Sequence, residues 1–142
     1  MLAAVCMRPV VTIKATASVL DAARLMRQKG VGALVVATGR KPRGIITDRD
    51  IAVVVVAEGQ DAAEVPVGDV MRSKPAVIRE DKSILDALRL LEAEAVRRLP
   101  VVDSRGGLSG IITLDDLLML LGAEMGHVAT ALSRSLGRRT TA

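Results

Sequence analysis

Thr47 and Asp50 stand three residues apart behind a Gly-Ile-Ile run, and Thr113 and Asp116 repeat the arrangement behind a second one. A threonine at a helix N-terminus brings together a hydroxyl, free backbone N–H groups and the positive end of the helix dipole, a combination that suits a phosphate. A carboxylate one turn further on only accepts hydrogen bonds, and it can take them from two vicinal hydroxyls such as those of a ribose. The same four residues also have a purely structural use, as N-caps each followed three residues later by an acid, in the manner of a capping box. Gly44 and Gly110 open the two phrases and let a backbone approach closely.

No other residues offer chemistry of comparable sharpness. Cys6 is the only cysteine and His127 the only histidine, which leaves no internal disulfide and no zinc-ligand set. Cys6 reads as a small apolar filler and His127 as a solvated residue of the C-terminal tail. There is no nucleophile with its base and no Gly-x-x-x-x-Gly-Lys phosphate loop. Asp48 with Asp50, and Asp115 with Asp116, suit the dipole of a first helical turn better than a cation. The chain therefore reads as non-enzymatic.

The net charge is +4, and Arg134, Arg138 and Arg139 gather part of it at the C-terminal end. With no Phe, Tyr or Trp in the chain, bases have no ring to stack on, and nucleic-acid contact is limited to phosphates touching the basic tail. A solvated end is the better reading of that tail. The longest apolar run, Ile51 to Ala57, is too short to cross a bilayer, and no signal-peptide pattern opens the chain. A soluble, cytoplasmic protein is expected.

The elements that must hold the Thr/Asp pairs come as an internal repeat. "SVLDAARLM" (18–26) matches "SILDALRLL" (83–91) at a shift of 65, and "GIITDRD" (44–50) matches "GIITLDD" (110–116) at a shift of 66. The one-residue slip is expected where "VGALVV" (31–36) faces the longer "VRRLPVV" (96–102). Val19, Ala22, Ala23 and Met26 form one helical face, and Ile84, Ala87, Leu88 and Leu91 repeat it. Short apolar strands at 10–13, 33–37 and 44–47, and at 75–78, 100–103 and 110–113, complete the order β-α-β-β-α, twice. The closing helices, "IAVVVVA" and "LLMLL", are nearly all apolar. In the first of them valines cost a few tenths of a kcal/mol each relative to leucine, so burial must offset them. The expected divisions are 1–62 for the first repeat with its lead-in, 63–124 for the second, and 125–142 for the basic tail.

With its glycine, two apolar residues, threonine and later aspartate in two copies, the chain resembles the CBS domain, a β-α-β-β-α module named after cystathionine β-synthase. "DVMRSKPAVI" (69–78) looks like the family's entry into a repeat and "VRRLPVVD" (96–103) like its middle strand. The resemblance implies a mixed α+β fold, two repeats packed about a pseudo-twofold axis with two clefts between them. In this family such clefts often bind AMP, ADP, ATP or S-adenosylmethionine, and some members bind NAD, cyclic dinucleotides or nothing known.

Carried over by position, Thr47 and Thr113 would hold phosphate or ribose, and Asp50 and Asp116 the ribose. Adenine would lie between aliphatic side chains and bond to backbone. The candidates are Thr12 and Ile13 with Ala33 to Val35, and Val77 and Ile78 with Leu99 to Val101. Arg97 and Arg98 precede the middle strand of repeat two, where repeat one has Val31 and Gly32. A guanidinium grips a phosphate bidentately, so the cleft they reach is expected to prefer phosphate-bearing ligands. The alternative is that they are surface charges, or that one pairs with Glu94 or Asp103.

The implied function is a regulatory, ligand-sensing module acting on an effector protein that the sequence does not name. A structural or interaction module with empty clefts is the alternative. The two apolar helices, 50–57 and 115–122, imply a homodimer that covers them.

Overall fold

The computed structural model describes residues 7–140, with side chains through Arg138; Cys6 lies outside the described residues. Repeat one runs β1 (Thr12–Ile13), α1 (Val19–Lys29), β2 (Ala33–Thr38), β3 (Lys41–Thr47) and α2, α-helical over Asp48–Asp50 and π-helical over Ile51–Val56. After α3 (Val67–Val70), repeat two runs β4 (Arg72–Ser73), β5 (Ile78–Arg79), α4 (Ile84–Glu94), β6 (Arg98–Val102), β7 (Leu108–Thr113) and α5 (Leu114–Thr140).

Serines begin the two equivalent long helices. The Ser18 hydroxyl accepts from the Asp21 N–H, and the Ser83 hydroxyl from that of Asp86. At Ser83 the Asp86 carboxylate returns the bond, closing a capping box. Both helices end in a left-handed residue, Gly30 at φ 65° and Ala95 at φ 52°. The predicted faces point inward: Val19, Ala22 and Met26 are buried in repeat one, Ala87 and Leu91 in repeat two.

Strand parity then sorts the sheets. In repeat one Leu34, Val36 and Ile46 face the helices and join their core. In repeat two Ile78, Leu99, Val101 and Ile112 do the same. The opposite faces meet between the repeats, where Val35, Ala37 and Leu108 are buried against Val10 and Ile111. The hairpin turns clasp each other across this seam: the Leu108 N–H donates to the Arg40 carbonyl, and Arg40 pairs with Asp103 at 3.1 Å.

The slip between the repeats lies elsewhere than the sequence comparison suggested. Leu34 pairs with Ile46 and Leu99 with Ile112, so the shift of 65 holds through the middle strands. The extra residue enters in the hairpin of repeat two, where Asp103 accepts from the N–H groups of Arg105 and Gly107. Small polar residues absorb an insertion in a turn; a strand cannot, because one extra residue would reverse every following side chain.

Each repeat lends its lead-in to the other. β4 pairs antiparallel with β3, Gly44 opposite Ser73 and Ile45 opposite Arg72. Arg8 exchanges two 3.0 Å backbone bonds with Ile111 on β7. This reciprocity expresses the pseudo-twofold relation. It also gives the two glycines their use: a Cβ on Gly44 would lie 2.8 Å from the Arg72 carbonyl oxygen, and one on Gly110 2.8 Å from that of Arg8. The backbone that approaches them is the protein's own.

The C-terminal segment is exposed, as expected of a solvated tail, but it is helical. It continues α5 as one 27-residue helix to Thr140, with His127 exposed along it.

Candidate nucleotide cleft between the repeats

Thr47 ends β3 and caps α2. Its hydroxyl accepts from the Asp50 N–H at 3.1 Å, and an Asp50 carboxylate oxygen accepts from the Thr47 N–H at 3.0 Å. The hydroxyl proton of Thr47 remains available to donate. Beside it opens a cleft of about 460 Å³. Repeat one supplies Ile45, Thr47, Asp48 and Arg49 to its lining; Arg72, Pro75, Ala76 and Ala95 to Arg98 come from the lead-in and body of repeat two. The Thr47 phrase therefore faces the other repeat's segment.

Four arginines line this cleft against one aspartate, Asp48. Two are held by acids: Arg72 Nε lies 3.6 Å from Asp50 Oδ1, and Arg97 donates to Asp115 at 3.0 Å. The partner of Arg97 is thus Asp115, whereas Glu94 and Asp103 were the expected ones. Asp103 is bound to Arg40. Arg49 and Arg98 make no ion pair among the described residues. A site with this excess of guanidinium groups attracts anions and binds phosphate oxygens in particular.

The second Thr/Asp pair is built differently. Thr113 accepts from the Asp116 N–H at 3.1 Å, but Asp116 turns one oxygen to Arg8, 2.6 Å away. Its other oxygen is buried with no partner among the described residues. Around Thr113 the positions equivalent to Arg97 and Arg98 are Gly32 and Ala33, so the two arginines that repeat two brings to the Thr47 cleft have no counterpart in repeat one.

The remaining candidates divide by strand parity. Ala33 sits opposite Thr47, and Val35 opposite Ile45 and beside Thr12, all on the face toward the other repeat. Val35 is fully buried in the seam, and Thr12 is exposed. Ile13 packs in the core of repeat one, and Ile78, Leu99 and Val101 lie in that of repeat two. Those four side chains are turned away from the seam, so anything they offer there comes from backbone alone. Val77 opens on a separate outer groove beside Arg79 and Lys82. The residues of repeat two equivalent to 33–35 are 98–100, one place earlier than expected, with Pro100 opposite Ile111. Sequence reasoning missed Arg49, Arg72, Pro75 and Ala76. The repetition of "MRP" and "MRS" at residues 7–9 and 71–73 was the available clue to the exchanged lead-ins.

The chain belongs to the CBS domain family, whose model matches residues 2–57 and again 67–123. It is 38% identical over 108 residues to a CBS domain-containing protein of Bacillus subtilis, covering 76% of each chain. An uncharacterized protein of Methanopyrus kandleri is 36% identical over 114 residues, 80% of this chain and 58% of that relative's length. The fold matches a CBS domain protein from Pyrobaculum aerophilum solved with AMP, at TM-score 0.70 and 24% identity, over 77% of this chain and 83% of that one. A CBS domain pair solved with 5′-methylthioadenosine and S-adenosyl-L-methionine matches at TM-score 0.77 and 22% identity, over 87% of this chain and 97% of that one. Among the described residues no helix is long and apolar enough to cross a membrane.

Proposed function

We propose that this CBS pair is a non-enzymatic regulatory module that senses an adenosine ligand carrying phosphate, AMP, ADP or ATP, in the cleft beside Thr47. The observation that carries the reading is the convergence of Arg49, Arg72, Arg97 and Arg98 on one cleft with the Thr47 hydroxyl at its edge. Neighbours of the same fold solved with AMP, and with methylthioadenosine and S-adenosylmethionine, support an adenosine ligand. The charge argues within that set: a cationic sulfonium is repelled where four guanidinium groups gather, and a phosphate is attracted. The ligand acts by favouring one arrangement of the two repeats over another, read by an effector that is a separate protein or a further part of a longer chain. Val53, Val54 and Val56 stand exposed on α2, a face suited to a second copy in a homodimer.

A second reading rests on Asp50. One of its oxygens is used by the cap and the other by Arg72, which is what an interaction module with empty clefts would show. Calorimetric titration with AMP, ADP, ATP, adenosine and S-adenosylmethionine separates the two. Saturable binding at one ligand per chain, strongest for the phosphorylated ligands, is expected. Absence of heat for all five leaves the interaction module.

A further inference from the structure

The turn between β1 and α1 is covered, whereas its counterpart between β5 and α4 is open among the described residues. Residues 62–68 cross the first turn, with Pro66 extended and antiparallel to Ser18. The Val67 and Gly68 N–H groups donate to the Ala17 and Ala15 carbonyls at 2.8 and 2.9 Å. The Val65 and Ala62 carbonyls accept from the Val19 and Leu20 N–H groups at 2.9 and 3.0 Å. Val67 and Val19 are both fully buried, in the core that Leu25 packs against. At the shift of 65, the same backbone groups in repeat two are the Glu80 and Lys82 carbonyls and the Ile84 and Leu85 N–H groups. These make no hydrogen bond among the described residues. Ile84 is only half-buried, and Leu85 is 55% exposed. Beside them a groove of about 470 Å³ opens between β5 and α4, with Val77, Leu90 and Ala93 in its lining. Leu90 is the counterpart of Leu25.

We propose that this open turn and its groove dock a short acidic segment of another protein, extended at its centre and antiparallel to residues 80–85, as Pro66 is to Ser18. Backbone hydrogen bonds supply the affinity of such a contact, and an apolar side chain lowered into the groove supplies its specificity. Charge selects the partner. Lys14 and Ala17 of repeat one become Arg79 and Lys82, and Arg89 stands where Arg24 does. All three cations line the groove. Lys82 and Arg89 make no ion pair among the described residues, and Arg79 shares Asp81 at 2.8 Å. The one acid of the groove, Asp86, is engaged in the Ser83 cap. The connector itself shows the matching chemistry, with Asp61, Glu64 and Asp69 around Val65-Pro66-Val67. Its proline restricts the free segment and so lowers the cost of ordering it. Residues 1–4 precede Met7 as residues 65–68 precede Met71, but Met-Leu-Ala-Ala carries no acid to meet the three cations. The groove shares no residue with the Thr47 cleft, so this inference is independent of the nucleotide reading.

The test titrates the full chain with a synthetic peptide that copies residues 61–69, blocked at both ends and carrying a dye. Saturable binding at one peptide per chain is expected by fluorescence anisotropy. Lys82→Glu, at an exposed position, should weaken it roughly tenfold, and a peptide with aspartate in place of the residue copied from Val67 should not bind. Bound peptide should slow amide exchange at Ile84 and Leu85 while leaving Val19 and Leu20, already covered by the connector, unchanged. No saturable binding up to about 1 mM overturns the proposal, as does binding that ignores Lys82→Glu or leaves exchange at Ile84 and Leu85 unaltered. Binding that appears only after residues 1–4 are deleted assigns the groove to this chain's own start. Slower exchange at Ile84 and Leu85 on raising the protein concentration without peptide assigns it to a second copy. Either result overturns the proposal as well.

Discussion

Arg72, in the lead-in to the second repeat, holds its Nε 3.6 Å from the Asp50 carboxylate of the first, and Arg8 makes the reciprocal pair with Asp116. Each carboxylate belongs to the helix that closes one repeat, and each arginine to the segment that enters the other. The pair thus ties the exchanged strands to the helix termini beside the clefts. Arg72→Ala should cost only about 0.5–1 kcal/mol, because its guanidinium is largely exposed. Asp50→Ala also removes the acceptor for the Thr47 N–H and should cost about 1–2 kcal/mol. Urea unfolding of both single variants and the double variant checks the order and gives the coupling; equal costs would mean that the cap contributes nothing.

Gly44→Ala tests the exchange itself. The added Cβ would lie 2.6 Å from Met71 Sδ and 2.8 Å from the Arg72 carbonyl oxygen. The methionine can turn aside; the backbone of β4 must shift. A loss of about 1–3 kcal/mol is expected, with faster amide exchange at Ile45, whose strand pairs with Arg72. An unchanged unfolding midpoint would show that β4 can move away without cost.

Ala95 offers a gain. It ends α4 at φ 52°, where repeat one places Gly30 at φ 65°. A Cβ in the left-handed region costs about 1–2 kcal/mol, and glycine gives part of this back as chain entropy on unfolding. Ala95→Gly should therefore raise stability by roughly 0.5–1 kcal/mol in denaturant titrations. Gly30→Ala should lower it by a similar amount.

The helices and cores of both repeats were legible because their signals are local and periodic. Val19, Ala22 and Met26 mark a helix face by spacing alone, and the copy at 84–91 repeats it. Thr47 and Asp50 were legible as a pair for the same reason. The contacts that make the cleft were not. Arg72 reaches β3 through a two-residue strand, and Ala95 to Arg98 come from the other repeat, a long-range pairing with no period to betray it. Strand parity was available but was masked by the irregularity that shifts register after Val36 and after Val101. The valines of α2 form a π-helix, and Gly122 reads as a helix end although α5 runs through it.

Acid should weaken the fold through two named carboxylates. The Ser83 backbone N–H, then its hydroxyl, hold the Asp86 carboxyl below its ordinary 3.8, and the N–H groups of Gly107 and Arg105 do so for Asp103. A pKa lower in the folded chain means that the unfolded chain binds more protons in the window between the two values. The stability these groups contribute is complete above pH 3.8 and is lost as pH falls through their folded values. Asp86→Asn with Asp103→Asn should flatten the fall in unfolding free energy below pH 4 while leaving its slope near neutrality unchanged. An equally steep acid loss in the double variant would assign it to other groups.

Arg97 and Arg98 lie in the same cleft but start from different states. Arg97 is already bound to Asp115, and both ends of that pair are mostly exposed, so releasing it for a phosphate costs little. Arg98 is half-buried on β6 and makes no ion pair among the described residues. A charge-assisted bond from it to a phosphate contributes roughly 1.5–3 kcal/mol, about a ten- to hundredfold change in affinity. Arg98→Ala should therefore weaken AMP binding by about that factor and adenosine binding far less, whereas Arg97→Ala should have the smaller effect. Salt should weaken AMP binding to the parent chain more than to the double variant, since fewer charges remain to be screened. Calorimetry reads all of these, the chain having no Trp or Tyr for intrinsic fluorescence. Equal losses for AMP and adenosine in the double variant would make the arginines supports of the fold, and would leave the cleft without its means of selecting phosphate.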